Sequence, residues 1–168
     1  IGVMVANAAN HLGMKVYGYD PYLSVKSAWN LNHNAVYIND INEIYAKCDY
    51  ITIHVPQTPD TKGLINADRI KAMKNGVRII NLARGGLVVN ADILDGINSG
   101  KIACFVTDFA DEDLLNNDKV ICMPHLGAST PEAEENCAMM AVNQLRAFLE
   151  TGAIVNSVNF PKCKIEDP

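Results

Sequence analysis

The sequence predicts an α/β fold, a doubly wound parallel sheet. Three observations point to it. Short apolar runs alternate with stretches of helical periodicity, the connections between them are short, and no internal repeat or low-complexity segment breaks the pattern. The apolar runs are nearly continuous rather than alternating, which is how strands buried on both faces read. Right-handed crossovers then follow from the general rule for parallel strands joined through helices.

Residues 1–12 are expected to be helical, with Val5, Ala8, Ala9 and Leu12 on one face and Gly13 ending the helix. Residues 15–20 read as a strand ending in Asp20 and closed by Pro21. A helix over 24–34 and a brief strand over 35–38 follow. Asp40 is expected to cap a helix over 41–48. Residues 50–55 form the next predicted strand, stopped by Pro56, and 66–74 the next helix. Asn75-Gly76 turns the chain into the run Val77–Leu82, a predicted buried strand that breaks off at Ala83-Arg84-Gly85-Gly86. A helix over 91–98, a strand over 102–107 ending at Asp108, and a polar, acidic loop through Asp118 come next. Residues 120–123 form the last predicted strand, followed by Pro124-His125. Thr130 is expected to cap a long helix with Pro131 in its first turn, ending near Gly152. Residues 153–168 show no periodicity.

The chain has 168 residues, 49% hydrophobic and 20% charged, enough for one domain with a substantial core. Its net charge is −5 and its basic residues are scattered, which argues against a nucleic-acid footprint. No apolar run approaches the roughly 20 residues that span a bilayer, so no membrane partner is expected. Cys48, Cys104, Cys122, Cys137 and Cys163 are widely separated and form no CxxC pair. That argues against a zinc or thioredoxin-like site, and no metal is expected; a reducing, cytoplasmic setting fits.

Ligands in open α/β sheets bind outside the carboxyl ends of the strands. Arg84 stands at such an end. Its planar fork suits a carboxylate or phosphate, and a surface ion pair is the alternative. His125 follows the last predicted strand and shares that edge with Arg84 and Asp108. Taken alone it also fits a structural histidine. An arginine, an acid and a histidine on one edge make a coherent set for hydride chemistry on a hydroxy acid: the arginine holds substrate and the histidine exchanges the hydroxyl proton. The helix opening at Gly2 and the strand ending in Asp20 have the shape of the second half of a dinucleotide fingerprint. There, unpaired helix N–H groups face the pyrophosphate and the acid binds ribose hydroxyls. Any βα unit can carry a Gly and an Asp, and that alternative stands beside it. On the fingerprint reading, Asp20 selects NAD over NADP.

Several stretches resemble the NAD-dependent D-2-hydroxyacid dehydrogenase family. Ile1-Gly2 is similar to the end of its Gly-x-Gly-x-Ile-Gly loop, and Tyr17-Gly18-Tyr19-Asp20-Pro21 to its ribose-binding strand end. The segment His54 to Thr61 resembles its adenine-side loop. Asn81-Leu82-Ala83-Arg84-Gly85-Gly86 resembles the arginine motif, and Pro124 to Thr130 the histidine motif. Asn156 to Pro161 resembles the segment that leads out of this domain in the branch acting on 3-phospho-D-glycerate.

The resemblance implies a Rossmann-like NAD-binding domain over 1–152, with 153–168 as an irregular tail. It implies Arg84 as carboxylate anchor and His125 as acid/base. The family's acid falls at Asp113 by register, with Glu112 beside it left open. Ile1, Gly2, Asp20, Val55, Pro56, Leu82, Ala83, Arg84, Asp108, His125, Gly127 and Ala128 would line the cofactor, NAD; Asp108 matches the position that contacts the nicotinamide amide. The implied reaction is oxidation of a phosphorylated 2-hydroxy acid. Glyoxylate or hydroxypyruvate reduction, or a non-catalytic NAD(H)-sensing module, are the rivals.

The family's first strand and the start of its Gly-rich loop precede Ile1. Losing about six buried apolar residues would cost on the order of 10 kcal/mol. The chain is therefore expected to be part of a longer protein, or to receive that strand from another segment. The family's substrate domain is expected in the full-length protein, a homo-oligomer, and the isolated chain is expected to be inactive.

Overall fold

The computed structural model describes residues 1–160. The end of the predicted tail, 161–168, with Cys163, lies outside them. The chain divides into two compact units, Ile1–His125 and a second that begins at Leu126.

The first unit runs α1 (Gly2–His11), β1 (Tyr17–Gly18), α2 (Val25–Trp29), β2 (Val36–Tyr37), α3 (Ile41–Lys47), β3 (Tyr50–Ile53), α4 (Ala67–Ala72), β4 (Val77–Asn81), α5 (Asn90–Asn98), β5 (Ile102–Thr107), α6 (Glu112–Leu115) and β6 (Val120–Cys122). The helix starts follow capping chemistry. Side chains of Ser24, Asp40, Asn66 and Asp111 each accept a first-turn backbone N–H, satisfying a donor that has no partner within the helix.

The strands form two sheets, both parallel. One pairs β1 with β2; the other has the order β3-β4-β5-β6. In the second sheet Ile53 pairs with Asn81, Asn81 with Thr107, and Thr107 with Cys122. These residues form one row across the carboxyl ends, so whatever follows each strand emerges at the same edge. β1 and β2 are shorter than the predicted strands. They pair with each other over just two register steps, Tyr17 with Val36 and Gly18 with Tyr37. α2 is likewise shorter than predicted and ends at Trp29.

The core lies between the four-stranded sheet and its helices. Val77 and Ile79 of β4, Ile102 and Phe105 of β5, Ile93 and Ile97 of α5, and Ile70 of α4 are all buried. Ile51 and Ile53 of β3 join the same cluster, and burying one such side chain contributes about 1.5–3 kcal/mol relative to exposure. Gly96 allows α5 to lie close on β5. A Cβ there would come within 2.6 Å of Ile102 Cδ1 and 3.0 Å of its Cγ1. Ile102 is fully buried and has little room to move. Gly96→Ala is therefore expected to destabilise the protein by about 1–3 kcal/mol through overpacking, read as a lower urea midpoint with an unchanged slope.

The acidic segment predicted as a loop contains α6. Leu114 is fully buried and anchors it, while Asp111 caps it. The second unit is built on α7 (Pro131–Thr151), capped by Thr130 and ended by Gly152 at φ 72°, a left-handed conformation that glycine adopts at little cost. None of the described helices is long and apolar enough to cross a membrane. Cys48, Cys104, Cys122 and Cys137 are free thiols.

Candidate active site

The parallel register sets the order of groups along the carboxyl edge. Val55 and Pro56 follow β3, Leu82, Ala83 and Arg84 follow β4, Asp108 follows β5, and His125 follows β6. Asp108 therefore comes from the strand between those that lead to Arg84 and His125.

Two buried polar residues end the central strands and shape the turns beyond them. Asn81 is 1% exposed. Its Nδ2 donates to Arg84 O at 2.9 Å, and its Oδ1 accepts from Ala83 N at 3.2 Å. One side chain thus closes the turn that carries Arg84. Thr107, equally buried, accepts Phe109 N–H on its hydroxyl at 3.1 Å. Gln57 reaches across from the β3 side, where its Oε1 accepts Gly86 N–H at 3.1 Å. Neither Asn81, Thr107 nor Gln57 stands out as a site residue in the sequence. The available signal was a polar residue as the last member of an apolar strand, in Val77-Arg78-Ile79-Ile80-Asn81 and in Ile102 to Thr107. Arg84 itself is exposed, with Nη1 donating to Ala83 O at 2.7 Å.

His125 Nδ1 lies 2.7 Å from Asp108 Oδ2. A carboxylate oxygen only accepts, so Nδ1 carries the proton, and in the neutral imidazole the lone pair is then on Nε2. The side chain of Asp108 is 12% exposed and that of His125 49%, so the acid sits beneath a histidine that faces outward. The histidine's hydrogen bond thus goes to Asp108. Asp113 and Glu112, the acids expected beside it, occupy the first turn of α6, are exposed, and make no hydrogen bond to His125. The reason is local. Asp111 caps α6 by accepting Leu114 N–H at 3.0 Å, and Leu114 is drawn into the core, which commits both acids to the helix.

Asp111 also accepts from Asn90 Nδ2 at 2.6 Å. That hydrogen bond, with the Leu114 N–H, holds the Asp111 carboxyl below its ordinary range. A carboxyl depressed by folding favours the folded state above the unfolded carboxylate range and loses that contribution as pH falls through its folded value. Asn90→Ala is expected to lower stability near neutral pH and to cost progressively less as the medium becomes acid. Urea midpoints of parent and variant across that range check it.

The remaining cofactor candidates fall into three places. Ile1 and Gly2 open α1, where no side chain caps the first N–H groups. A Cβ at Gly2 would meet His54 at 3.5 Å, ordinary contact, so packing alone does not demand glycine there. Asp20 lies just beyond β1 and is exposed; its Oδ1 accepts Tyr22 N–H at 2.9 Å. Gly127 and Ala128 belong to the second unit, in a turn closed by Ser129 N–H to Leu126 O at 3.1 Å.

Residues 1–127 match the family model for the D-isomer specific 2-hydroxyacid dehydrogenase, NAD binding domain. The chain belongs to that family. It is 36% identical over 167 residues to a D-3-phosphoglycerate dehydrogenase of Methanocaldococcus jannaschii, covering 96% of this chain and 32% of the relative. It is 37% identical over 166 residues to a hydroxypyruvate reductase of Blautia hydrogenotrophica, covering 95% and 50%. A crystal structure of a glyoxylate reductase from Paecilomyes thermophila superposes with a TM-score of 0.82 at 27% identity, covering 95% of this chain and 49% of that one. The chain thus spans between a third and a half of the length of these relatives. This Rossmann-like domain takes NAD as its cofactor. The residues present fit it: Asp108 Oδ1 is a buried acceptor with no partner among the described residues, suited to an amide N–H.

Proposed function

We propose that this domain serves an NAD-dependent dehydrogenase that oxidises 3-phospho-D-glycerate to 3-phosphohydroxypyruvate. The observation that carries this reading is the His125–Asp108 pair at 2.7 Å, on the same sheet edge as Arg84. NAD, when bound, supplies the hydride acceptor. The chain's own residues do the rest. His125 Nε2 accepts the hydroxyl proton as the neighbouring carbon gives up its hydride, leaving the ketone. Asp108 Oδ2 holds Nδ1–H and stabilises the imidazolium that forms. Arg84 binds the substrate carboxylate with the part of its fork not engaged by Ala83 O. Asp20 accepts ribose hydroxyls and, by repelling a 2′-phosphate, favours NAD over NADP.

The choice of a phosphorylated substrate rests on the name borne by the Methanocaldococcus relative. The hydroxypyruvate and glyoxylate reductases among the similar proteins support a second reading, reduction of a small 2-keto acid. Contacts to the phosphate, and closure of the cleft, are assigned to a substrate domain in a homo-oligomeric protein. The free thiols accord with a cytoplasmic setting. The test follows NADH absorbance with purified full-length protein and a panel of 2-hydroxy and 2-keto acids. The highest kcat/KM is expected for 3-phosphoglycerate oxidation and phosphohydroxypyruvate reduction. A preference for hydroxypyruvate or glyoxylate would establish the second reading. No turnover with any acid would leave an NAD(H)-binding module.

A further inference from the structure

Phe109 carries none of the chemistry assigned above, yet it touches both halves of the site. Its ring centroid lies 4.5 Å from that of His125, the planes tilted by 42°. On another side its Cβ lies against Gly85, where an added Cβ would approach to 3.2 Å. Its backbone is fixed by the hydrogen bond to buried Thr107.

A half-exposed imidazole held by one hydrogen bond keeps a rotational freedom: small turns about its Cα–Cβ and Cβ–Cγ bonds move Nε2. A contact on the ring removes that freedom. Asp108 holds His125 through Nδ1 and Phe109 packs against the ring, and the two are consecutive residues just beyond the end of one strand. Gly85 extends the same contact to the next strand, because the missing side chain lets Phe109 pack on the backbone beside Arg84.

We propose that Phe109 is a positioning residue that sets the plane of the His125 ring and couples it, through Gly85, to the turn carrying Arg84. The acid/base and the carboxylate-binding cation then hold their separation through one aromatic ring. The catalytic consequence rests on the dehydrogenase reading; the structural coupling does not.

The experiment uses the full-length protein and has two readouts. In turnover, Phe109→Ala and Phe109→Leu are expected to lower kcat about 10- to 100-fold, as small misplacements of reacting groups do. KM should stay within about twofold, since an interaction felt in the transition state lowers kcat and kcat/KM together. Phe109→Tyr restores the parent rate, and the leucine variant keeps the bulk, which separates loss of the ring from loss of folding. Gly85→Ala, whose Cβ would meet Phe109 Cβ and Cγ, pushes Phe109 aside, and it is expected to lower kcat and to shift the His125 ring-proton resonances together.

The second readout needs no turnover. In NMR spectra the His125 ring protons carry a ring-current shift that persists in Phe109→Tyr and vanishes in Phe109→Leu. His125 resonances unchanged in Phe109→Leu or in Gly85→Ala, or a KM effect alone, would overturn the proposal. Resonances that respond as expected in a protein that turns over no 2-hydroxy acid would uphold the coupling and remove the dehydrogenase reading.

Discussion

His125→Asn is expected to lower kcat by about 10²- to 10⁴-fold, the range that a positioned general acid or base contributes. Asparagine retains a polar side chain able to meet Asp108, so the edge of the sheet stays intact, but it takes up no proton at neutral pH. The loss should fall on kcat and kcat/KM alike, because proton transfer belongs to the transition state. His125 is half exposed and makes its hydrogen bond to Asp108 alone among the described residues, so its removal should leave the fold standing. Steady-state kinetics with a thermal melt on the same sample checks both parts. A kcat within threefold of the parent would remove His125 from the chemistry.

Arg84→Gln is expected to lower kcat/KM by roughly 10- to 150-fold. Hydrogen bonds to a charged group contribute about 1.5–3 kcal/mol, and about 1.4 kcal/mol is tenfold. Most of the loss should appear in KM, since the carboxylate is bound in ground and transition states alike. Arg84→Lys keeps the charge but not the fork and should recover part of the loss. Stability should not change: Arg84 is exposed, and the turn that carries it is closed by Asn81. A KM insensitive to Arg84→Gln would assign the substrate carboxylate to another group.

Arg84 and His125 were legible as site candidates because both stand where a buried apolar run ends, and parallel strands bring such ends to one edge. Asp108 was legible on the same edge as His125, but the spacing left open which of the nearby carboxylates pairs with it. Asp108, Asp111, Glu112 and Asp113 are near neighbours in sequence and all carboxylic acids, and register against the family motif pointed to Asp113. Which one reaches the histidine depends on the β5–β6 pairing, Thr107 against Cys122, and on how the chain leaves β5. The chain leaves it by folding α6, whose one buried anchor is Leu114. A four-residue helix in a polar stretch has almost no periodicity to read. Asn81 and Thr107 were hidden for a related reason. Each looks like an ordinary strand residue until its side chain is seen closing the turn beyond it.

The sequence by itself determined the alternation of strands and helices, the parallel class of the sheet and the two strand ends that bear Arg84 and His125. Those features arise from local patterns: apolar runs of strand length, capping residues, and glycines or prolines where a run must stop. The tertiary structure alone decided the partner of His125, the buried amide and hydroxyl that hold the two turns, and the ring of Phe109 between them. Those are contacts between residues brought together by strand register, and hydrogen bonds of under 3.5 Å are set by a register that composition and spacing do not encode.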